Sequence, residues 1–247
     1  MIFTIMGKEL RAMFTSPLAW AVLAFVQVIL AWVFLFRVDF FITLQAEIAR
    51  TPNAQGLTGT AIVPMFGIAS IVLLMSVPLL TMRMVSEERR NQTMALLMAA
   101  PISMSEIIFG KYLALIVFLG LISMLILSMA LSLLAGGSID FGLLTANLIG
   151  LMLLGASFAA IGLYISCLTT HPVVAALLSL GAFLGLWIMN IAATDPESML
   201  HMISLLKHFE GFLSGSIAAV DLIYFATLIT TFLILSIRRL DADRLRA

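Results

Sequence analysis

Apolar residues in this chain fall in long unbroken runs rather than in alternation or narrow stripes. A helix needs about 20 mostly apolar residues to cross the hydrocarbon layer of a bilayer. Six stretches reach that length: Pro17–Phe36, Val63–Met82, Ile107–Leu134, Phe141–Ser166, Pro172–Ile191 and Ala218–Ile237. The pattern predicts an all-α polytopic membrane protein, a single transmembrane domain over residues 1–247. Asp221, near the start of the sixth run, is the one acidic residue inside these stretches. The first run is too long for the apolar core of a secretion signal and reads as an uncleaved anchor.

The segments between the runs carry their own patterns. Within residues 1–16, Phe3, Met6, Leu10, Met13 and Phe14 recur at helical spacing, with Lys8, Glu9 and Arg11 on other faces. That suits a helix lying in the membrane interface; a frayed basic start that only fixes topology is the alternative. Residues 86–100 hold the one strongly charged interior run. Ser86 is placed to cap a helix whose first turn has Glu87 and Glu88, where negative charge suits the helix dipole. Met94, Leu97 and Met98 share a face, and Pro101 stops the helix. A solvated reversing loop would not need that apolar face. Ser103 and Glu106 have capping-box spacing and open the third span.

On the other side, Arg37–Ile62 reads as a loop containing Pro52, Asn53, Gly56 and Gly59. Residues 195–213 carry an apolar stripe of Met199, Met202, Ile203, Leu206, Phe209 and Leu213, with His201, Ser204, Lys207 and His208 elsewhere. That segment is expected to lie at, or dip into, the outer interface. Pro64 and Pro78 bracket the second span. Gly155, Ala156, Ala159, Ala160 and Gly162 crowd the fourth, and Gly181 and Gly185 form a small-xxx-small pattern in the fifth. Small residues let helices approach closely, within a subunit or across a dimer seam. Gln27, Asn147 and Asn190 are expected to bond between helices.

Composition confirms the solvent. The chain is 62% hydrophobic and 11% charged, with mean hydropathy +1.17, whereas soluble domains carry about 25% charged residues. Cys167 is the single cysteine, which excludes an internal disulfide. Basic residues distribute unevenly. Lys8, Arg11, Arg83, Arg89, Arg90, Lys111, Arg238, Arg239, Arg244 and Arg246 fall on one side, and Arg37, Arg50 and Lys207 on the other. Ten against three predicts both termini in the cytoplasm, in a multi-pass protein of a bacterial cytoplasmic (inner) membrane. No nucleic-acid partner is expected.

Catalytic chemistry has no foothold. No phosphate loop, zinc-protease motif or nucleophile elbow occurs. His201 and His208 lack supporting ligands for a metal. With no charged residue at mid-depth in the spans, a self-powered secondary transporter is disfavoured. The energy source is expected on a partner.

After the second span, Glu87, Glu88, Arg89, Arg90, Thr93, Leu96, Leu97, Pro101 and Ser103 lead into Gly110 and Lys111. This order, with His208, Phe209, Phe212, Gly215, Asp221, Tyr224, Arg238 and Arg239 near the end, resembles permease subunits of type-2 ABC transporters. The similarity is greatest to the subgroup of gliding-motility permeases and the permease of nitrous-oxide-reductase maturation. Gln92 stands where that pattern has glycine, and Ala95 where it has an acidic residue. The resemblance implies a type-2 ABC exporter permease fold and a separate ABC ATPase subunit, in two copies, binding ATP and Mg; this chain carries no cofactor. It also implies a second permease copy, and allows a periplasmic or membrane accessory protein. The 86–100 segment becomes a coupling helix touching the ATPase through Glu87, Glu88, Arg89, Arg90, Thr93, Met94, Leu97 and Met98. The interfacial helix, with Phe3, Met6, Leu10 and Arg11, lies beside it. Two other readings stand: a mechanotransmitter that relays ATP-driven motion to periplasmic partners without transport, and a membrane scaffold or assembly factor that needs no ATP. Leu97→Asp is expected to uncouple ATP turnover and abolish copurification of the ATPase, while all six spans still insert.

Overall fold

The computed structural model describes residues 1–48, 56–94, 102–135, 137–192 and 204–244. Among these, every regular element is helical. In chain order they are α1 (Ile2–Thr15), α2 (Pro17–Ile48), α3 (Val63–Thr81), α4 (Ser86–Arg90), α5 (Met104–Ser132), α6 (Phe141–Leu168), α7 (Pro172–Ala192), α8 (Leu205–Leu213) and α9 (Ala219–Arg244). Six stretches, on α2, α3 with α4, α5, α6, α7 and α9, are long and apolar enough to cross a membrane.

Helix α6 is the axis of the bundle. Its most apolar window is 72% buried, against 17% for α7 and for α9, so the other spans pack around it. The small residues explain why. Gly155, Ala159, Ala160 and Gly162 are buried, and at Gly162 an added Cβ would lie 2.8 Å from Thr81 Cβ of α3. Close backbone approach replaces the missing hydrophobic drive between helices in lipid.

Several boundaries differ from expectation. The region 37–48 continues α2 rather than forming a loop. No helix breaker occurs before Pro52, so the helix runs 32 residues, about 48 Å at 1.5 Å per residue. A π-helical turn, Thr58–Ile62, leads directly into α3. Pro64 sits in the first turn of α3, where its missing N–H costs nothing, and Pro78 is accommodated inside the helix. The expected capping box holds: Ser103 accepts from the Glu106 N–H, and Glu106 accepts from the Ser103 N–H.

The α8 segment keeps part of its predicted stripe. Residues 195–203, including Met199, His201, Met202 and Ile203, lie outside the described residues. Within α8, Phe209 of the stripe is buried together with Leu205, His208 and Phe212, and Leu206 and Leu213 are partly buried against the same core. The helix packs on α6, with Phe212 against Gly150, where an added Cβ would meet Phe212 Cγ at 2.8 Å. His208 joins this buried face because Asp221 of α9 meets it, Nδ1 to Oδ1 at 2.6 Å, and Tyr224 stacks on its ring with centroids 4.0 Å apart. Gly215, with φ +84°, makes the turn between them.

The polar residues inside the spans divide. Gln27 of α2 donates to Met129 Sδ of α5 at 3.2 Å and does bond between helices. Asn147 instead donates to Leu143 O of its own helix at 2.6 Å. The side chain of Asn190 lies outside the described residues. Gly181 and Gly185 do not pack inside the subunit: an added Cβ meets nothing within 4 Å at either.

Gly162→Ala should destabilise the bundle by about 1–3 kcal/mol, because stiff, fully buried Thr81 cannot yield. Gly67→Ala, which meets nothing within 4 Å, should be neutral or slightly stabilising. Thermal unfolding of the two variants in one detergent compares them directly.

Candidate functional site

Gly110 and Lys111 sit about two turns into α5, and together they build the charged end of the bundle. Gly110 has no side chain, so Ile5 of α1 fits against it; an added Cβ would lie 2.7 Å from Ile5 Cγ2. That contact lays α1 tightly on α5. The face of α1 turned into the bundle is Ile5, Glu9 and Met13, which shares Met13 with the expected apolar face. Phe3 is 76% exposed, Arg11 is exposed, and Met6 and Leu10 are half-buried.

Lys111 is wholly buried. An unpaired ammonium there would cost several kcal/mol, and the structure surrounds it with carboxylates. Its Nζ lies 2.9 Å from Glu9 Oε1 and 2.8 Å from Glu88 Oε1. Lys8 Nζ approaches the same two oxygens from the exposed side, at 3.0 Å each. Two ammoniums and two carboxylates thus alternate around a neutral square joining α1, α4 and α5.

Burial alone would push the Glu9 carboxyl up. The Lys111 ammonium, by charge and hydrogen bond, and then Lys8 outweigh it and hold Glu9 below the usual carboxylate range. For Lys8, burial works downward, but its bonds to Glu9 and Glu88 leave the ammonium above its ordinary value.

The other side of α4 is tied as firmly. Arg89 pairs with Asp243 of α9, which Arg239 also approaches at 3.5 Å. Consecutive residues on a helix diverge by about 100°, so Glu88 and Arg89 reach opposite neighbours. Ser86 does not cap α4; the N-cap is Val85. The backbone N–H groups of Val85 and Ser86 both donate to Ser166 Oγ at the end of α6, at 3.1 Å each. A neighbouring helix supplies the cap.

The expected continuous helix over 86–100 stops at Arg90. Asn91 ends it, and Gln92 adopts φ +58°, where glycine would be unstrained. Thr93 Oγ1 donates back to Glu88 O at 3.3 Å. Arg90, Asn91, Gln92 and Thr93 are exposed in the turn that follows α4. Glu87 is also accessible, 3.8 Å from Arg83 Nε. Met94, expected on the free face, is 4% exposed and belongs to the core. Leu97 and Met98 lie outside the described residues. Of the expected contact residues, then, Glu88 and Arg89 are largely spent on bonds within the chain, while Glu87, Arg90 and Thr93 remain accessible.

Sequence reasoning missed Glu9, Lys111, Ser166 and Asp243 as members of this site. One signal was available: a lysine eight residues into an apolar helix demands a buried partner. The partners themselves come from other helices and leave no spacing to read. No group of three or more His, Cys, Asp or Glu placed to hold a metal occurs among the described residues.

Residues 3–213 match the family model described as ABC-2 family transporter protein. The chain belongs to the ABC-2 transporter family. It is a permease subunit of an ABC transporter, a multi-pass membrane protein of a family that works with an ABC ATPase subunit. Such permeases are generally not the catalytic subunit. No curated protein matches the sequence.

Stability at the charged end should follow pH in a defined way. The Glu9 contribution is fully present above its unfolded value near 4.5 and is lost as pH falls through the lower folded value. The Lys8 contribution is present below its unfolded value of 10.5 and is lost as pH rises through its higher folded value. Trp20, whose Nε1 donates to Phe14 O at 2.8 Å, reports release of α1 by fluorescence. Lys111→Met leaves two carboxylates facing one exposed lysine and should cost about 3–5 kcal/mol, with earlier release of α1 on heating.

Proposed function

We propose that this permease is the membrane half of an ATP-driven exporter, and that the tip at Arg90–Thr93 is where a separate ATPase subunit pushes. The observation that carries this reading is the double tether of α4. Glu88 binds it to α1 and α5 through Lys111 and Lys8, and Arg89 binds it to α9 through Asp243. Ser166 adds α6. A displacement of so short a helix is passed to four neighbours at once, so it acts as a rigid lever rather than a swivelling loop.

The remaining parts of the reading follow from the charge distribution and the family. In the sequence, ten basic residues on the side of the 86–100 run against three on the other favour a cytoplasmic tip and cytoplasmic termini, in a bacterial inner membrane. Each of two permease copies meets one ATPase copy, and the ATPases bind ATP and Mg. The outward faces of Gly181 and Gly185 leave them available for a contact between permease copies. The resemblance to gliding-motility and nitrous-oxide-reductase-maturation permeases favours export coupled to an accessory protein. Closure of the ATPases then favours one of two packings of the spans, by no more than the difference in their affinity for those packings.

Arg90→Glu alters an exposed side chain with no tether role, so the spans should fold as before. It is expected to reduce recovery of the ATPase subunit in tagged pull-downs from native membranes at least tenfold. A cysteine at Arg90 should react with an impermeant maleimide only from the cytoplasmic side. Unchanged ATPase recovery, or labelling from outside, sinks the proposal.

A further inference from the structure

A groove of about 580 Å³ opens between α1 with the start of α2 and α3 with α4. Its floor is apolar: Met13, Leu18, Ala19, Leu80 and Met84 line it. Ala19 and Leu80 belong to spans, so the floor is continuous with the hydrocarbon zone. Exposed Trp20 stands one residue from Ala19, as expected at the level of lipid headgroups. The mouth is polar and two-signed. Arg83 donates to Ser16 Oγ at 3.1 Å, yet its Nε stays 3.8 Å from Glu87 Oε2, and the two side chains are 40% and 44% exposed. The other charges on the rim, Lys8, Glu9 and Glu88, are committed to the square around Lys111.

The groove therefore offers an accessible cation and an accessible anion that the square does not use, Arg83 and Glu87, a few ångströms apart above an apolar trough; Lys8, 55% exposed, stands on the same rim with its ammonium shared between Glu9 and Glu88. From this geometry we infer that it binds a phospholipid with a zwitterionic, primary-amine headgroup, the phosphate on Arg83 and Ser16, the ammonium on Glu87, and an acyl chain along Leu18 and Leu80. A purely anionic headgroup would leave Glu87 facing negative charge. A quaternary ammonium would lack the N–H groups that a carboxylate accepts from. The inference rests on the membrane location of the chain and not on the ATPase, although Asn91 and Thr93 of the proposed ATPase contact border the same groove.

Native mass spectrometry of the full-length protein, titrated with phosphatidylethanolamine, phosphatidylglycerol and phosphatidylcholine of identical acyl chains, tests it. Phosphatidylethanolamine should bind about tenfold more tightly than either of the others. Glu87→Gln should reverse the order of phosphatidylethanolamine and phosphatidylglycerol, and Arg83→Gln should weaken both. Both positions are exposed, so the variants should fold; unchanged thermal unfolding checks this. Equal affinity for the three lipids, or an unchanged preference in Glu87→Gln, overturns the inference. Release of bound lipid when the ATPase subunit is added to the protein would make the groove a protein-docking surface and overturn it equally.

Discussion

An ammonium buried among apolar helices needs carboxylates within reach, and at Lys111 they come from two other segments. This requirement organises the charged end of the molecule. Glu9 must point inward from α1, so α1 must lie on α5 with its Ile5–Glu9–Met13 face down, and Gly110 makes room for that. Glu88 must arrive from α4, so the turn after α3 must stop where Ser166 can hold it. Once Glu88 faces Lys111, Arg89 is directed toward α9 and finds Asp243. The square is neutral, with short contacts on all four sides. It need not add net stability over an apolar core of the same shape, but breaking one member leaves uncompensated charge. Its effect is to fix one arrangement of α1, α4 and α5 against the alternatives.

The spans were legible because their signal is compositional. A run of about 20 apolar residues admits few structures in lipid, since every backbone polar group has to be satisfied internally. The capping box at Ser103 and Glu106 was legible because it is local. What could not be read were facts depending on a second helix. Glu9 looks like a polar-face residue until Lys111 is beside it. His208 reads as surface until Asp221 and Tyr224 cover it. Ser86 has the chemistry of a cap, but Ser166 occupies the role from α6. The end of α2 was misjudged for another reason. Polar residues such as Arg37 and Asp39 mark where the hydrocarbon ends, yet a helix without Pro or Gly continues past that depth.

The charged segment after α3 combines both kinds of information. Its charges and its position between two spans pointed to contact with a partner. The fold divides that segment by task. Glu88 and Arg89 hold α4 to the bundle, while Arg90 to Thr93 form the exposed turn. Gln92 lies at the division, in a backbone conformation that costs a non-glycine residue about 1 kcal/mol or more. Such a turn persists only where its surroundings over-determine it, and here both sides are fixed: Arg89 is paired before it, and Met94 is buried after it.

The two ends of the bundle are built unequally, and this constrains how the helices can move. At the α4 end, ion pairs and hydrogen bonds link α1, α4, α5, α6 and α9 into one unit. At the opposite end, the described residues show two polar ties between helical segments: His208 to Asp221, and the Asp140 N–H to Thr58 Oγ1 at 2.9 Å. The intervening packing depends on small residues of α6, which fit tightly; among the described residues, Tyr112 Oη donating to Ala156 O at 3.3 Å and Gln27 to Met129 Sδ add polar ties there. A push on α4, as proposed, would therefore be resisted most by the charged end, the part of the described structure with the most polar ties between helices. Packed helices respond to such a load by shifting between discrete arrangements rather than by bending, so rearrangement should concentrate at the end remote from the lever.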